Sequence, residues 1–480
     1  MKNIVTAFPV LFLILFICFT NPLKAQDQEG RDFDKRLDST LQNIYRSIDE
    51  QMGTYIFTDE PQSRQYKENS TDDDTDNPIN VNKYNRRYSR LSSYPYTTTT
   101  KDFYPPFLRI NSLAYYPWEN MSDDLLFRYN RVEGVFLGLN SPKKYHWDSH
   151  HIDLFGSGGY GFANHRWRYN GGIAEQFGTG EHMFEFGVEG HSLTDTEDKW
   201  IVSQMENNFS SIVARDDYRD YFGRDGFSVW TGFYREPSSW GYQLEAAYQI
   251  DRYESMDRRT NWSLFGGDKL FHDNPPIDEG HMRSILATFE IQQLQTHKIF
   301  STGWSAALSA EHAGTELSSD FDFNRYQIDL RRYQPFSRYD NLNLRLRAGA
   351  SNGGVPLQKL FYVGGISTLP AFGYKDFSGN RLLLANAEYL VNGNLFDDDD
   401  LFPSWLFRNV NLILFMDAGY VASSPENSII RGFENLNHST VKSDYGFGFG
   451  TRDAKFRIGF AWRTDLAEPV HVFIRLDRPF

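Results

Sequence analysis

Between His146 and Asp153 the chain sets three imidazoles and two carboxylates, His146, Asp148, His150, His151 and Asp153. On a strand His146, Asp148 and His150 would share a face, and imidazole with carboxylate suits a transition metal. Nothing around them fixes the loop geometry, so no metal site and no cofactor are assigned. A Ser/His/Asp set can be drawn from any chain with 12 histidines. No serine is assigned as a nucleophile, and the chain reads as a non-enzyme. Gly446, Gly448 and Gly450 have half the spacing of a dinucleotide fingerprint. They alternate with Tyr445, Phe447 and Phe449 and no helix follows, so small inward-facing residues are the better reading. Cys18 is the single cysteine. It lies in an expected leader, which leaves the exported chain without a disulfide or thiolate site.

The elements that carry these residues alternate with a period of two. In the terminal run Val470, Val472, Ile474 and Leu476 share one face, with His471, Arg475 and Asp477 opposite, and Phe480 ends the chain. Leu342, Leu344 and Leu346 oppose Asn343, Arg345 and Arg347. Phe456, Ile458, Phe460 and Trp462 oppose Arg457 and Arg463. Repeated charge on one parity is hard to place in a dry core, whereas a water-filled lumen tolerates it. Aromatics make up 16% of the chain, the net charge is −14 and mean hydropathy is −0.55. Beyond the N-terminus there is no apolar run of about 20 residues for a membrane helix. The pattern predicts an all-β protein, a transmembrane antiparallel β-barrel of about 16 strands, with Phe480 as a C-terminal assembly signal.

Fifteen strands are read directly, beginning with 127–139. Single-chain barrels use even numbers, so a sixteenth is expected within 197–224 or 253–280. The stretch 197–222 has a helical flavour, with Trp200, Ile201, Ile212 and Val213 among charges. It suits a surface helix, a poorly paired strand or a helix lying on the membrane. Residues 1–25 predict a signal peptide, with Lys2, an apolar core and Ala25 before the cut. Residues 26–105 predict a short helix followed by a polar, disordered periplasmic linker. Residues 106–480 are the barrel segment. Asp397 to Asp400 read as a solvated charge run.

Phe361 to Tyr389, FYVGGISTLPAFGYKDFSGNRLLLANAEY, resembles the sixth-loop signature of the bacterial surface antigen superfamily. That superfamily comprises the BamA/TamA-like and two-partner-secretion barrels. Gly364-Gly365 opens the motif, and Gly379-Asn380-Arg381 with Asn386, Glu388 and Tyr389 closes it. Phe415-Met416-Asp417-Ala418-Gly419 is similar to the next strand, and Arg131-Val132-Glu133-Gly134 to the first. The resemblance implies that loop 352–380 folds into the lumen. Its tip is Pro370-Ala371-Phe372, or Phe372-Gly373-Tyr374 in the other register. Neither holds the Arg that the family places there, so Asp417 and Glu388 must find other cations. Arg345, Arg347 and Arg457 share the inward parity and are the candidates. The N-terminal segment lacks the repeated pattern of several POTRA domains.

By this resemblance the expected function is help with insertion or translocation of polypeptides across the outer membrane of a Gram-negative-type bacterium. A passive pore or ligand-specific channel is the alternative. Expected partners are outer-membrane lipid and lipopolysaccharide, the assembly machinery for its own insertion, and client polypeptides. Nucleic acid is not among them.

Overall fold

The computed structural model describes residues 125–235, 241–265, 267–296, 301–337, 339–393, 410–425, 428–451 and 456–476. The expected leader 1–25, the segment 26–105, Asp397 to Asp400 and Phe480 lie outside the described residues. The strands are β1 (Leu125–Asn130), β2 (Gly134–Ser141), β3 (His150–Gly161), β4 (Arg166–Gly178), β5 (His182–Asp195), β6 (Phe222–Arg235) and β7 (Gly241–Ser255). There follow β8 (Gly280–Thr296), β9 (Ser301–Ala313), β10 (Phe323–Pro335), β11 (Asp340–Gly353), β12 (Phe361–Val363) and β13 (Phe377–Gly379). The last are β14 (Arg381–Asn392), β15 (Val410–Ala422), β16 (Lys442–Thr451), β17 (Phe456–Arg463) and β18 (His471–Leu476). Sixteen of them form one antiparallel sheet in chain order, β1 to β11 and then β14 to β18. The short β12 and β13 pair with each other inside the β11–β14 connection.

The two faces of the sheet are inverted relative to a soluble protein. Leu139, Leu154, Phe186, Leu346, Val472 and Ile474 are exposed, Leu139 by 67%. On the other parity Glu185, Glu189, Arg345, Arg347 and Arg475 are buried. An apolar outside and a polar inside are stable only when lipid surrounds the wall. Among the described residues no helix is long and apolar enough to cross a membrane. The chain is an outer-membrane β-barrel that crosses with strands.

The sixteenth strand is not where the sequence placed it. The stretch 127–139 is a hairpin, β1 and β2 in register from Asn130↔Gly134 to Leu125↔Leu139. Asn130 makes the turn. Its Oδ1 accepts from the backbone N–H of Val132 (3.0 Å) and of Glu133 (2.7 Å). Gly134 follows at φ 64°, a left-handed angle that suits glycine. Arg131-Val132-Glu133-Gly134 is therefore the turn after the first strand rather than the strand itself. Neither segment offered for the missing strand supplies one: 197–224 holds a 3-10 turn and a helix before β6 begins at Phe222, and the described residues between Ser255 of β7 and Gly280 of β8 are loop.

The expectation that inward charges stand unpaired in water also needs correction. Asp329 accepts from Arg331 (2.9 Å) and Arg345 (2.6 Å). Lys143 meets Glu185 at 2.6 Å, and Arg224 lies between Asp195 (3.0 Å) and Asp251 (2.9 Å). These side chains are buried, and an unpaired charge there would cost several kcal/mol.

Connections alternate between the two ends. One end carries 196–221, 256–279, 354–380 and 423–441, and the other carries 142–149 and 179–181. These are called below the loop end and the turn end. A charge placed on the outer face should be expelled by lipid. Leu346→Arg is expected to destabilise the barrel by about 2–4 kcal/mol near the bilayer midplane. Denaturant titration in lipid vesicles measures it, and Leu346→Ile should change little.

Candidate functional site: an inserted loop and a helix in the seam

The 354–380 loop enters the lumen because its tip is apolar. Gly364 (φ 118°) and Gly365 (φ 85°) turn the chain through angles that other residues rarely adopt. The turn is tightened by a bridge from Gly365 to Leu369. Ile366, Leu369, Ala371 and Phe372 then pack with Phe361, Val363, Leu382, Leu384 and Phe415 from the loop and the wall. Trp200, Ile201 and Val202 join this core from the 196–221 loop, which also dips inside. Ser367 Oγ donates to the Ile201 carbonyl at 2.5 Å. The cavity left under the tip holds only about 30 Å³.

Polar contacts at the tip differ from the family pattern. The Ala371 backbone N–H, not a guanidinium, donates to Asp444 Oδ2 (2.8 Å). Asp417 faces Asp444 in the β15–β16 register and accepts from Asn386 Nδ2 (2.7 Å). The same Asn386 amide donates to the Thr368 carbonyl (3.1 Å), tying the loop to β14. Glu388 meets Arg457 at 2.5 Å. Arg345 goes to Asp329, and Arg347 donates to Gln327 (2.7 Å) with its guanidinium 3.6 Å from the centre of the Trp200 ring. Pro370 lines the small cavity, the Gly373 N–H donates to Asp376 (2.7 Å), and the Tyr374 ring packs 5.2 Å from His272. Phe372 lies under the Arg463 guanidinium at 4.4 Å.

The loop does carry a cation, one residue past the tip. Lys375 donates to Asp198 (2.7 Å) and Asp220 (2.6 Å), both in the 196–221 loop. Asp220 also accepts from Arg131 Nη2 at 2.7 Å. Burial alone would raise the Asp220 carboxyl, but Lys375, His272 and Arg131 outweigh it and hold it well below the ordinary range. Arg131 is fully buried and binds Asn274 of the 256–279 loop as well (3.0 Å). Four connections thus meet at the loop end.

The 196–221 loop also contains the least expected element. Helix α1 (Gln204–Ala214) starts at Ser203, whose Oγ accepts from the Glu206 N–H (3.1 Å). It ends at Arg215 in the left-handed conformation. Gln204, Asn207, Asn208 and Ser211 are buried, while Met205 and Phe209 are about half exposed. Its polar face points inward and its apolar face outward.

α1 lies between the first and last strands. Among the described residues no ladder joins β1 to β18. Asn208 takes the place of a strand residue on the β1 edge: its Oδ1 accepts from the Tyr129 N–H (2.9 Å) and its Nδ2 donates to the Phe127 carbonyl (3.2 Å). Glu206, two residues earlier and so on nearly the opposite flank of the helix, serves β18. It accepts from the Leu476 N–H (2.9 Å) and pairs with Arg475 (2.7 Å). Backbone groups left bare at a sheet edge in lipid cost several kcal/mol each. Side chains of α1 supply partners for the Tyr129 and Leu476 N–H groups and for the Phe127 carbonyl.

Three features escaped the sequence reading. Lys375 stands just past the tip residues. The polar inner face of α1 scans as a surface helix. Gly349-Ala350-Ser351-Asn352-Gly353 has nucleophile-elbow spacing, a match the reading missed. Ser351 sits within β11, its N–H donating to the Asn380 carbonyl (2.8 Å), not on a strand-to-helix turn.

Glu197 ties the two inserted loops together, meeting Lys359 (2.8 Å) and, on the wall, Arg325 (3.2 Å). Burial opposes its charge, but Lys359 and Arg325 prevail and bring it from 4.5 to about 2. A depressed carboxylate stabilises fully above its unfolded value and loses this as pH falls through the folded one. The melting temperature in detergent should therefore drop between pH 4.5 and 2. Glu197→Gln should melt lower at pH 7 and lose less on acidification.

Comparison with known proteins gives three findings. The outer membrane protein assembly factor BamA of Nitratidesulfovibrio vulgaris is 24% identical over 251 residues, which is 48% of this chain and 27% of that protein. The chain thus spans about a quarter of that relative's length. Among solved structures, BamA from Haemophilus ducreyi lacking POTRA domains 1–3 aligns at TM-score 0.45 and 12% identity, over 72% of this chain and 67% of that one. CdiB from Acinetobacter baumannii aligns at TM-score 0.36 and 13% identity, over 71% and 56%. The family model described as the C-terminal domain of a family of unknown function, DUF5686, matches residues 111–353, just over half of the chain. The protein belongs to the DUF5686 family.

Proposed function

We propose that this barrel helps other polypeptides insert into or cross the outer membrane, and that its working part is the seam. The observation that carries the reading is the way the wall is closed. An ordinary barrel closes by a backbone ladder whose hydrogen bonds must all be lost to open it. Here the contacts across the seam run through the side chains of Asn208 and Glu206, on a helix that belongs to a loop. Withdrawing that loop would expose two strand edges at once. A bare edge in lipid is a template on which an incoming strand can pair. The sixth-loop resemblance and the weak similarity to an assembly factor point the same way.

The two loops inserted into the lumen argue against an open pore. The inserted loops pack against the wall and leave about 30 Å³ beneath the tip. A solute channel would need that space clear.

The test is a folding assay in vesicles that contain the purified protein. Urea-unfolded client barrels should insert faster than into empty vesicles of the same lipid, and the protein alone should show little ion conductance. Deleting residues 355–380 should raise conductance. High conductance of the intact chain together with no effect on client insertion would favour the channel instead.

A further inference from the structure

The cluster between His146 and Asp153 takes no part in the seam or the loop, and the fold rearranges it. His146 and Asp148 lie in the 142–149 turn at the turn end, and His150 begins β3. His150 points away: its Nε2 is 2.8 Å from Glu175 and its ring stacks on Phe177 at 4.6 Å. His151 and Asp153 share the other parity of β3, and the turn folds His146 over them. Ligand atoms of His146, His151 and Asp153 all lie within 4.8 Å of one another. The two imidazole rings are 3.7 Å apart at their centres.

We propose that His146, His151 and Asp153 bind a divalent transition metal such as zinc or copper(II). Two imidazoles and a carboxylate are the donor set these borderline ions take. Ligand atoms around a tetrahedral ion stand about 3.3 Å apart, so side-chain rotations of about 1 Å close the set. His146 Nε2 is buried and finds no hydrogen-bond partner among the described groups. A nitrogen in that position loses its solvation with nothing in return, which a metal bond would supply.

The backbone holds the three residues in place. Gln176 on β4 accepts from the His146 N–H (2.9 Å) and donates to the Lys144 carbonyl (2.8 Å), so one side chain pins both sides of Tyr145. The Lys144 N–H donates to Asp153 Oδ2 (2.9 Å) and orients that carboxylate. Further along the turn, the Gly180 N–H donates to the Trp147 carbonyl (2.7 Å). Of the two nearby ammonium groups, Lys143 is spent on Glu185 and Lys144 is exposed.

The test uses the full chain refolded in detergent, stripped with a chelator and titrated with Zn²⁺ by calorimetry. The wild type should bind one equivalent more than the double variant His146→Ala with His151→Ala. Asp153→Asn should weaken that site by about tenfold or more, and His150→Ala should leave it unchanged. Bound to Cu²⁺, the wild type should show nitrogen hyperfine structure that the double variant lacks. Heat-modifiable gel mobility checks that each variant folds, and Asp153→Asn, which keeps the carboxylate's shape, gives the comparison if the double variant does not refold. Equal Zn²⁺ uptake by wild type and by folded variants would overturn the proposal.

Discussion

Every peptide group in the hydrocarbon of a bilayer needs a hydrogen-bond partner, and that constraint governs this molecule more than any other. Among the described residues fifteen strand-to-strand joints of the wall meet it with backbone ladders. At the sixteenth place the chain uses a helix. An amide side chain can accept and donate at once, so Asn208 can satisfy both a carbonyl and an N–H of β1. A carboxylate only accepts, and Glu206 is placed where β18 presents an N–H and a guanidinium. The chemistry of each side chain matches the edge it faces. A helix with a polar face toward protein and an apolar face outward is the arrangement a wall element in lipid requires.

The seam is not independent of the lumen. Asp220 accepts from Lys375 on the inserted loop and from Arg131 in the turn after β1. Ser367 holds the chain just before α1 through the Ile201 carbonyl. Arg475, which pairs with Glu206, also lines the cavity beneath the loop tip. Moving the helix out of the seam therefore breaks contacts that hold the loop, and removing the loop exposes charges that hold the helix. The Arg missing from the tip is explained in part by this arrangement. The tip reaches the paired carboxylates of β15 and β16 with a backbone N–H, and the loop spends its cation on the helix-bearing connection.

Much of the barrel was legible because alternation is a local signal. Leu342 to Arg347 or Phe456 to Arg463 can be assigned from the residues themselves, since lipid and lumen differ in every second position. The β1–β2 hairpin was lost because its turn is only three residues long and keeps the same parity on both sides. Asn130 and Gly134 were the signals that could have split it. Arg345 and Arg347 take their partners, Asp329 and Gln327, from the same inward parity of the adjacent β10, whereas Glu388 reaches Arg457 across two intervening strands and Arg347 meets Trp200 only because the 196–221 loop dips inside, which register cannot say. Helix α1 was the hardest to place. Its amphipathic pattern is plain, yet the sequence does not say whether the polar face meets water or protein. Lys375 falls to the same difficulty, because its partners are more than 150 residues away.

The direct measurement of the seam is the surroundings of Phe209. A spin label at Phe209→Cys, in a chain with Cys18→Ser and reconstituted into a bilayer, reports accessibility to oxygen and to a water-soluble nickel chelate. A helix set into the wall places the label in lipid, with high oxygen and low nickel accessibility. Strong nickel accessibility would put α1 in water and leave the edges of β1 and β18 to be satisfied in some other way.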